Sequence, residues 1–275
     1  MKNEIFDVIK RIEYELNVLG VSKKTIEAYK FHNEKFLEII KKYPKNITIK
    51  DFRDYIIYLR NKDYAPATIN LAIAAIKFYY RGIKGKIIFS RIKSVKREYK
   101  IPTVLTKEEI FRMIDSTANI KHKIMIKFLY STGVRVGELV KLKIDDMFFD
   151  EKIGLVRSGK GRKDRYIKLS DKLIYDLRYY LSFRKDNNPY IFNASFSHIT
   201  RRTAQEVVKK AGINACIKKR VHPHVLRATC ATHLYDNLTD IRDIQLLLGH
   251  SKIDTTNIYV KKRPNRVKIL STPLD

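Results

Sequence analysis

The sequence predicts a mainly α-helical protein with one small β-hairpin, divided into two domains. Apolar residues recur at helical spacing over most of the 275 residues. A basic segment with little periodicity, closed by a proline, separates a shorter N-terminal part from a longer C-terminal part. Only one stretch has the composition of two short strands around a turn. We therefore predict a helical domain over 1–85, a linker over 86–101 and a second domain over 102–275.

Four helices are predicted in the N-terminal domain from the spacing of apolar residues. Gly20 ends the first helix, and Ser22 and Thr48 are plausible N-caps of the second and third. The fourth follows Pro66 and is apolar enough to be the buried one. The predicted helices cover residues 4–19, 23–42, 49–60 and 67–83.

The C-terminal domain begins with a new helical pattern at Thr106, which has capping-box spacing with Glu109. A helix over 122–130 follows and is broken by Gly133. The remaining predicted elements are strands over 153–157 and 165–169 around a basic turn, then helices from Leu173 with breaks at 187–189, Gly212 and Pro223.

The excess of positive charge is the strongest compositional feature. With 57 Lys and Arg against 29 Asp and Glu, the chain carries a formal net charge of +28. Internal ion pairs cannot neutralise such an excess, which favours a polyanionic partner bound in a salt-dependent way. The alternative is a lysine-rich surface that reflects a biased genome composition.

Several classes of protein are disfavoured by the composition. No apolar run reaches the about 18 residues that a membrane-spanning helix needs, and the first twenty residues lack an apolar signal core. We predict a cytoplasmic protein without membrane association. Two cysteines, Cys216 and Cys230, are too few for a disulfide framework and lack metal-ligand neighbours. Cys230 is predicted to be a small buried residue, and we expect neither a metal nor a cofactor.

Five cationic or titratable residues in the C-terminal domain stand out by their sequence context. They are Arg135, Lys160, His224, Arg227 and His250. Arg135 lies three residues before Glu138, and an isolated pair of this kind is most often a local ion pair. In a functional site, Glu138 would instead hold the guanidinium so that its fork faces a phosphate.

The other four residues also have ordinary interpretations. Lys160 lies between glycines at a predicted hairpin tip, where a lysine is usually a solvated charge. His224 and Arg227 share one helical face and can converge on an anion, but a helix-start cap or a surface pair is equally compatible. His250 follows the end of an apolar helix, where a histidine usually interacts with the helix dipole.

Together these residues suit the transfer of a phosphoryl group to a side chain. Two arginines can stabilise negative charge on the non-bridging oxygens, and a lysine among other cations can protonate a leaving hydroxyl. A phenol, such as that of Tyr259, has an unperturbed pKa of about 10 and needs a base or a cationic field to attack. No acidic cluster suited to Mg²⁺ lies beside these residues in the sequence, so we expect metal-free chemistry.

The order of these motifs resembles the tyrosine recombinase family. TGVRVGEL, GKGRKDR, HVLR and LLGH occur in this order, and Tyr259 follows His250 by nine residues. The likeness is closest to the compact Xer-type members, which lack an additional arm-binding domain. It covers nearly the whole chain, with the N-terminal helices resembling the core-binding domain and residues 102–275 the catalytic domain.

The resemblance implies a role for each candidate residue at the phosphate. Arg135 and Arg227 would clamp the scissile phosphate, and His250 would donate a hydrogen bond to it. Glu138 would hold the Arg135 guanidinium in place without contacting the phosphate itself. Ala228 follows Arg227 where family members often have a basic or histidine residue, which changes local support but removes no catalytic group.

The remaining roles concern the nucleophile and the protons. Tyr259 would attack to give a 3′-phosphotyrosyl intermediate, with His224 as general base or acid toward it. Lys160 would protonate the leaving 5′-oxygen. Because the phosphotyrosyl bond keeps the energy of the diester, a 5′-hydroxyl can reseal the strand without ATP.

The resemblance also implies how the protein meets DNA. We expect a C-shaped clamp around double-stranded DNA and a homo-tetramer on two synapsed recombination sites. The tail after Tyr259, interrupted by Pro264 and Pro273, would contact a neighbouring subunit. Neither the target sequence nor any accessory protein can be read from the chain.

Other functions compete with site-specific recombination. A type IB topoisomerase uses similar tyrosine chemistry, but such enzymes commonly have a lysine at the position of His224. A non-catalytic DNA-binding protein is disfavoured by the intact set of residues from Arg135 to Tyr259. Within the recombinases, resolution of chromosome or plasmid dimers is favoured over integration or excision of a mobile element, without being decided.

Overall fold

Helices make up most of the chain in the computed structural model, which describes residues 2–96, 102–157 and 164–249. The chain divides into two compact units, Met1–Tyr99 and Lys100–Asp275. Within the described residues, no helix combines the length and the apolar character needed to span a bilayer.

The helices of the N-terminal unit begin at, or within two residues of, the positions that the sequence predicts. Ser22 accepts a hydrogen bond from the Thr25 backbone, and Thr48 forms a capping box with Asp51. The second helix ends at Lys41, which adopts a left-handed conformation. The helices are α1 (Lys2–Val18), α2 (Lys23–Ile40), α3 (Ile49–Asn61) and α4 (Pro66–Lys77), and a π-helical turn, Phe78–Ile83, extends α4.

An aromatic cluster forms much of the core of this unit. Phe36 packs with its ring edge against Tyr55 and Tyr80, at centroid distances of 5.1 and 6.1 Å. Phe89 stacks on Tyr80 at 4.9 Å and on Phe52 at 5.8 Å. Phe89 lies beyond residue 85, so the core includes part of the segment predicted as a linker.

The first part of residues 86–101 therefore differs from the predicted linker. Ile87–Arg91 forms a 3₁₀ helix, and Asn70 of α4 exchanges two hydrogen bonds with the Val95 backbone, at 2.9 and 2.7 Å. One 3₁₀ turn is too short to show apolar periodicity, which explains why the sequence did not reveal it. Residues 97–101 lie outside the described residues.

Over residues 102–157 and 164–249, the C-terminal unit consists of helices and one small sheet. Its helices are α5 (Lys107–Asp115), α6 (Ile120–Thr132), α7 (Val136–Leu139), α8 (Asp171–Ser182), α9 (Arg201–Asn214), α10 (Pro223–Asp236) and α11 (Ile241–Leu248). Thr106 and Glu109 form the predicted capping box of α5. The prediction of a mainly helical protein with a small sheet is confirmed.

Among the described residues, three short strands form an antiparallel sheet in the order β1-β2-β3. They are β1 (Met147–Phe148), β2 (Ile153–Val156) and β3 (Arg165–Lys168). Val156 pairs with Arg165 at the end of the β2–β3 ladder. The two predicted strands are confirmed, whereas β1, which the sequence did not predict, is only two residues long.

Helix α10 lies at the centre of the C-terminal unit. Every residue from Val225 to Thr232 is buried, including Arg227 and Cys230. Cys230 is thus the small buried residue that the sequence predicts. At the far end of α10, Ala231 and Tyr235 pack against Ile244 and Leu248 of α11. This contact fixes the C-terminal end of α11 against α10.

Candidate active site

Four of the seven predicted site residues are described, and they lie on or immediately before α7 and on α10. Arg135 precedes α7, Glu138 lies within it, and His224 and Arg227 lie on the first turns of α10. The other three, Lys160, His250 and Tyr259, lie outside the described residues.

Arg135 is held by Glu138 through both its backbone and its side chain. The Arg135 amide donates to Glu138 Oε2 at 2.9 Å, and Nη1 donates to Oε1 at 2.9 Å. Nη2 donates to the backbone carbonyl of Gly249 at 3.2 Å. The local pair of Arg135 and Glu138 is therefore present, and the same guanidinium reaches the residue before His250.

Gly133 allows three helices to meet next to Arg135. It ends α6 with φ +62°, and a β-carbon there would lie 2.6 Å from Leu248 Cδ2 and 3.3 Å from Cys230 Sγ. Both the left-handed backbone and the close approach require glycine. The ends of α6 and α11 therefore meet against α10.

Arg227 is buried, with 3% of its surface exposed, and donates two hydrogen bonds to backbone carbonyls at this meeting point. Its Nη1 donates to the carbonyl of Gly133, and its Nη2 donates to the carbonyl of Leu248 at 2.7 Å. A buried guanidinium needs such partners because an unpaired buried charge is costly. Arg227 thus joins the ends of α6 and α11.

A third arginine, Arg165, reaches the same place from β3, and sequence reasoning did not include it among the site residues. Its Nη1 and Nη2 donate to Glu138 Oε1 and Oε2 at 3.0 and 2.7 Å, and its Nε donates to the carbonyl of Leu247 at 3.1 Å. Strand alternation held the available signal, because Arg165 lies on the same face of β3 as the buried Ile167.

At the end of α11, three successive backbone carbonyls therefore each accept a hydrogen bond from a different arginine. Leu247, Leu248 and Gly249 accept hydrogen bonds from Arg165, Arg227 and Arg135, respectively. The last carbonyls of a helix carry partial negative charge and lack intrahelical partners, so they attract cations. Gly249 ends α11 with φ +63°, which confirms the predicted helix end immediately before His250.

His224 lies on the exposed side of the start of α10, one turn before Arg227. Partial burial, followed by the positive charges of Arg227 and Arg135, lowers the pKa of His224. His222 lies beside it at a ring distance of 6.3 Å, and burial and His224 lower the pKa of His222 as well. Both changes favour the neutral imidazole, which is able to accept a proton.

Glu138 remains ionised although only 8% of its surface is exposed. Burial acts to raise its pKa, but the hydrogen bonds from Arg165 and from the Arg135 backbone and guanidinium outweigh burial and lower the pKa to about 2. Relative to an ordinary value near 4.5, this difference corresponds to roughly 3 kcal/mol of stability at neutral pH.

The lowered pKa of Glu138 predicts how acid destabilises the protein. The folded-state pKa is depressed, so its contribution is present above about pH 4.5 and is lost as the pH falls toward 2. In Glu138→Gln, the free energy of unfolding is expected to fall less steeply over this window than in the wild type. Urea unfolding at several pH values measures this, with the exposed Glu206→Gln as the same-substitution control. Equal slopes for wild type and Glu138→Gln would contradict the prediction.

Comparisons with known proteins identify the family. Residues 103–266 match the model of the phage integrase family, and residues 8–88 match that of the phage integrase N-terminal SAM-like domain. Tyrosine recombinase XerA of Pyrococcus horikoshii is 35% identical over 261 residues, which cover 93% of this chain and 89% of that protein. The chain belongs to the phage integrase family of tyrosine recombinases. The resemblance that the motifs indicated is confirmed.

Other members of the tyrosine recombinase family agree with this assignment. A tyrosine recombinase of Thermosipho africanus is 34% identical over 90% of this chain and 92% of its own. A crystal structure of XerA recombinase is 32% identical, covers 97% of both chains and has a TM-score of 0.57. A structure of XerH bound to a palindromic difH substrate, 24% identical, shares the fold with a TM-score of 0.75 over 89% of this chain and 78% of that one. The protein is an Xer-like tyrosine recombinase, an enzyme of site-specific recombination.

Proposed function

We propose that this tyrosine recombinase cuts and rejoins double-stranded DNA through a 3′-phosphotyrosyl bond to Tyr259, without a metal ion or ATP. The observation that carries the proposal is the convergence of Arg135 and Arg227 on the end of α11, with His224 on the same side of α10. Two arginines and an imidazole side by side suit a phosphodiester.

Arg135 and Arg227 are proposed to hold the scissile phosphate. Both guanidiniums are fixed by protein oxygens before any phosphate binds, so little reorganisation is needed when negative charge develops on the non-bridging oxygens. His250, the next residue after Gly249, is proposed to donate a further hydrogen bond to the phosphate. Its place in the sequence directly after the α11 carbonyls supports this role.

The cleavage step requires two proton transfers. The phenol oxygen of Tyr259 bonds to phosphorus and its proton passes to His224, which the lowered pKa keeps available as an acceptor. The bond from phosphorus to the 5′-oxygen breaks, and Lys160 protonates that oxygen. Lys160 belongs to the connection between the paired strands β2 and β3, which fits delivery of this proton from a hairpin. The reverse reaction with another 5′-hydroxyl reseals the strand.

DNA as the partner is supported by the charge of the chain and by its relatives. The net charge of +28 favours a polyanion, and a crystal structure shows the site-specific recombinase XerH bound to a difH substrate. We propose a C-shaped clamp around the duplex, a tetramer on two synapsed sites and a tail that contacts a neighbouring subunit. Because DNA is the substrate, the cytoplasm remains the proposed location.

Resolution of chromosome or plasmid dimers is the preferred biological role. The relatives with 32–35% identity over at least 93% of this chain include several XerA proteins. Integration or excision of a mobile element is the second candidate, since an integrase/recombinase of Sinorhizobium fredii is 31% identical over 97% of the chain.

The decisive experiment compares recombination with DNA relaxation. Binding sites are first enriched from a random duplex library, and the purified protein is then incubated with plasmids that carry two such sites or none. Strand exchange only on the two-site plasmid, unaffected by EDTA, is expected. Efficient relaxation of both plasmids without exchange would favour a topoisomerase, and loss of exchange in EDTA would contradict the metal-free mechanism.

A further inference from the structure

Arg165 shares Glu138 with Arg135 and contacts the same end of α11 as Arg135 and Arg227, although the proposed chemistry assigns it no role. Its guanidinium spans two elements, the carboxylate of Glu138 on α7 and the carbonyl of Leu247 at the end of α11. Only 10% of its side chain is exposed. The Arg165 side chain is therefore largely buried and links α7 to α11 through hydrogen bonds.

The two arginines that share Glu138 do so unequally. Arg165 donates to both carboxylate oxygens through its two terminal nitrogens, which is the preferred fork-to-carboxylate geometry. Arg135 donates to Glu138 through only one guanidinium nitrogen and directs the other to Gly249. While Arg165 binds both carboxylate oxygens, Arg135 cannot form the same bidentate ion pair with Glu138.

The end of α11 leaves little room for Arg165 to move. A β-carbon on Gly249 would lie 2.8 Å from Arg165 Cδ, so the arginine stem packs directly on the glycine backbone. On the other side of this end, Leu248 is buried against α10. A displacement of Arg165 would therefore alter both the Glu138 contact and the end of α11 that precedes His250.

We propose that Arg165 is a positioning residue for DNA cleavage. Its two terminal nitrogens hold the Glu138 carboxylate, and its Nε holds the end of α11. These hydrogen bonds keep the Arg135 guanidinium directed at the phosphate and fix the chain that leads to His250. The inference rests on the proposed function, because it concerns the proposed phosphate-binding role of Arg135.

The test uses single-turnover cleavage of a nicked suicide duplex carrying an enriched site, at saturating protein. Arg165→Gln is expected to slow cleavage by about 10²-fold, the usual effect of a displaced catalytic group. Arg165→Lys keeps the charge but loses the fork, and is expected to slow cleavage at least ~10-fold. Arg178→Gln, which breaks an exposed ion pair with Asp150, is the control for loss of one positive charge. Cleavage by Arg165→Gln at the rate of this control would overturn the proposal.

A double variant separates positioning from a merely structural role. Without Arg165, the Glu138 carboxylate can form a bidentate ion pair with Arg135, which would withdraw the Arg135 guanidinium from the phosphate. Glu138→Gln removes the negative charge that drives this capture, so Glu138→Gln/Arg165→Gln is expected to cleave at least ~3-fold faster than Arg165→Gln alone. A double variant as slow as Arg165→Gln, or slower, would overturn the proposal.

A measurement without DNA tests the contact itself. Amide hydrogen exchange in the peptide covering residues 241–249 is expected to rise in Arg165→Gln and to stay at the wild-type level in Arg178→Gln. Unchanged exchange in Arg165→Gln would refute the anchoring of α11. If the wild type forms no covalent adduct on any DNA, the proposed function fails, whereas a normal wild-type adduct with unaffected Arg165 variants refutes this inference alone.

Discussion

Tyr259→Phe is expected to abolish the SDS-resistant adduct between the protein and a nicked suicide duplex while DNA affinity remains close to that of the wild type. The change removes only the phenol oxygen, which we propose forms the bond to phosphorus, and phenylalanine offers no other nucleophile. A loss of at least ~10⁴-fold is expected, since no partial reaction through this residue remains. The measurement is the fraction of radiolabelled duplex retained with protein after denaturation.

Sixteen other tyrosines are possible substitutes, and the structure argues against several of them. Burial raises the pKa of five described tyrosines, which are Tyr55, Tyr79, Tyr80, Tyr130 and Tyr180. A phenol with a raised pKa is harder to ionise and therefore a poorer nucleophile. Tyr175→Phe, at an exposed position of α8, is the matched control and should form the adduct normally. An adduct from Tyr259→Phe would show that another residue attacks.

Local sequence signals predicted most helix ends because each signal acts over three or four residues. The break predicted at Gly212 is wrong, because α9 continues through it to Asn214 and the glycine instead permits close packing against Val221. The caps at Ser22, Thr48 and Thr106 depend on contacts with the next turn, and each is present in the structure. The 3₁₀ helix around Phe89 was missed because its stability comes from aromatic residues that are distant in the sequence. Tertiary packing, which no local pattern reports, decides the structure of such short segments.

The candidate site shows the same division between local and distant contacts. Arg135 and Glu138 are three positions apart in the sequence, and this spacing predicts their pairing. The bond from Arg165 to the Leu247 carbonyl joins residues that are 82 positions apart, so it depends on how β3 and α11 are brought together. The motif around Arg227 suggested an anion-binding side chain, but not that it also ties together the ends of two helices.

Arg227→Gln is expected to have the second largest effect, because it combines a catalytic and a structural loss. The substitution removes the guanidinium that we propose binds phosphate, and the carbonyls of Gly133 and Leu248 lose the donors Nη1 and Nη2. Single-turnover cleavage should fall by at least ~10³-fold, as for the loss of a fixed electrostatic donor. The free energy of unfolding should fall by about 3 kcal/mol, since hydrogen bonds from a charged group to buried oxygens are lost.

Arg227→Lys distinguishes the two contributions to this loss. Lysine keeps the positive charge but concentrates it on one ammonium, which lacks the planar fork that joins the ends of α6 and α11. Urea unfolding should therefore show that Lys at 227 recovers part of the stability lost in Arg227→Gln, while cleavage by folded, saturating protein stays at least ~10²-fold below the wild type. Wild-type cleavage by Arg227→Lys would mean that charge alone suffices at this position. In that case the two-carbonyl geometry stabilises the fold without contributing to phosphate binding.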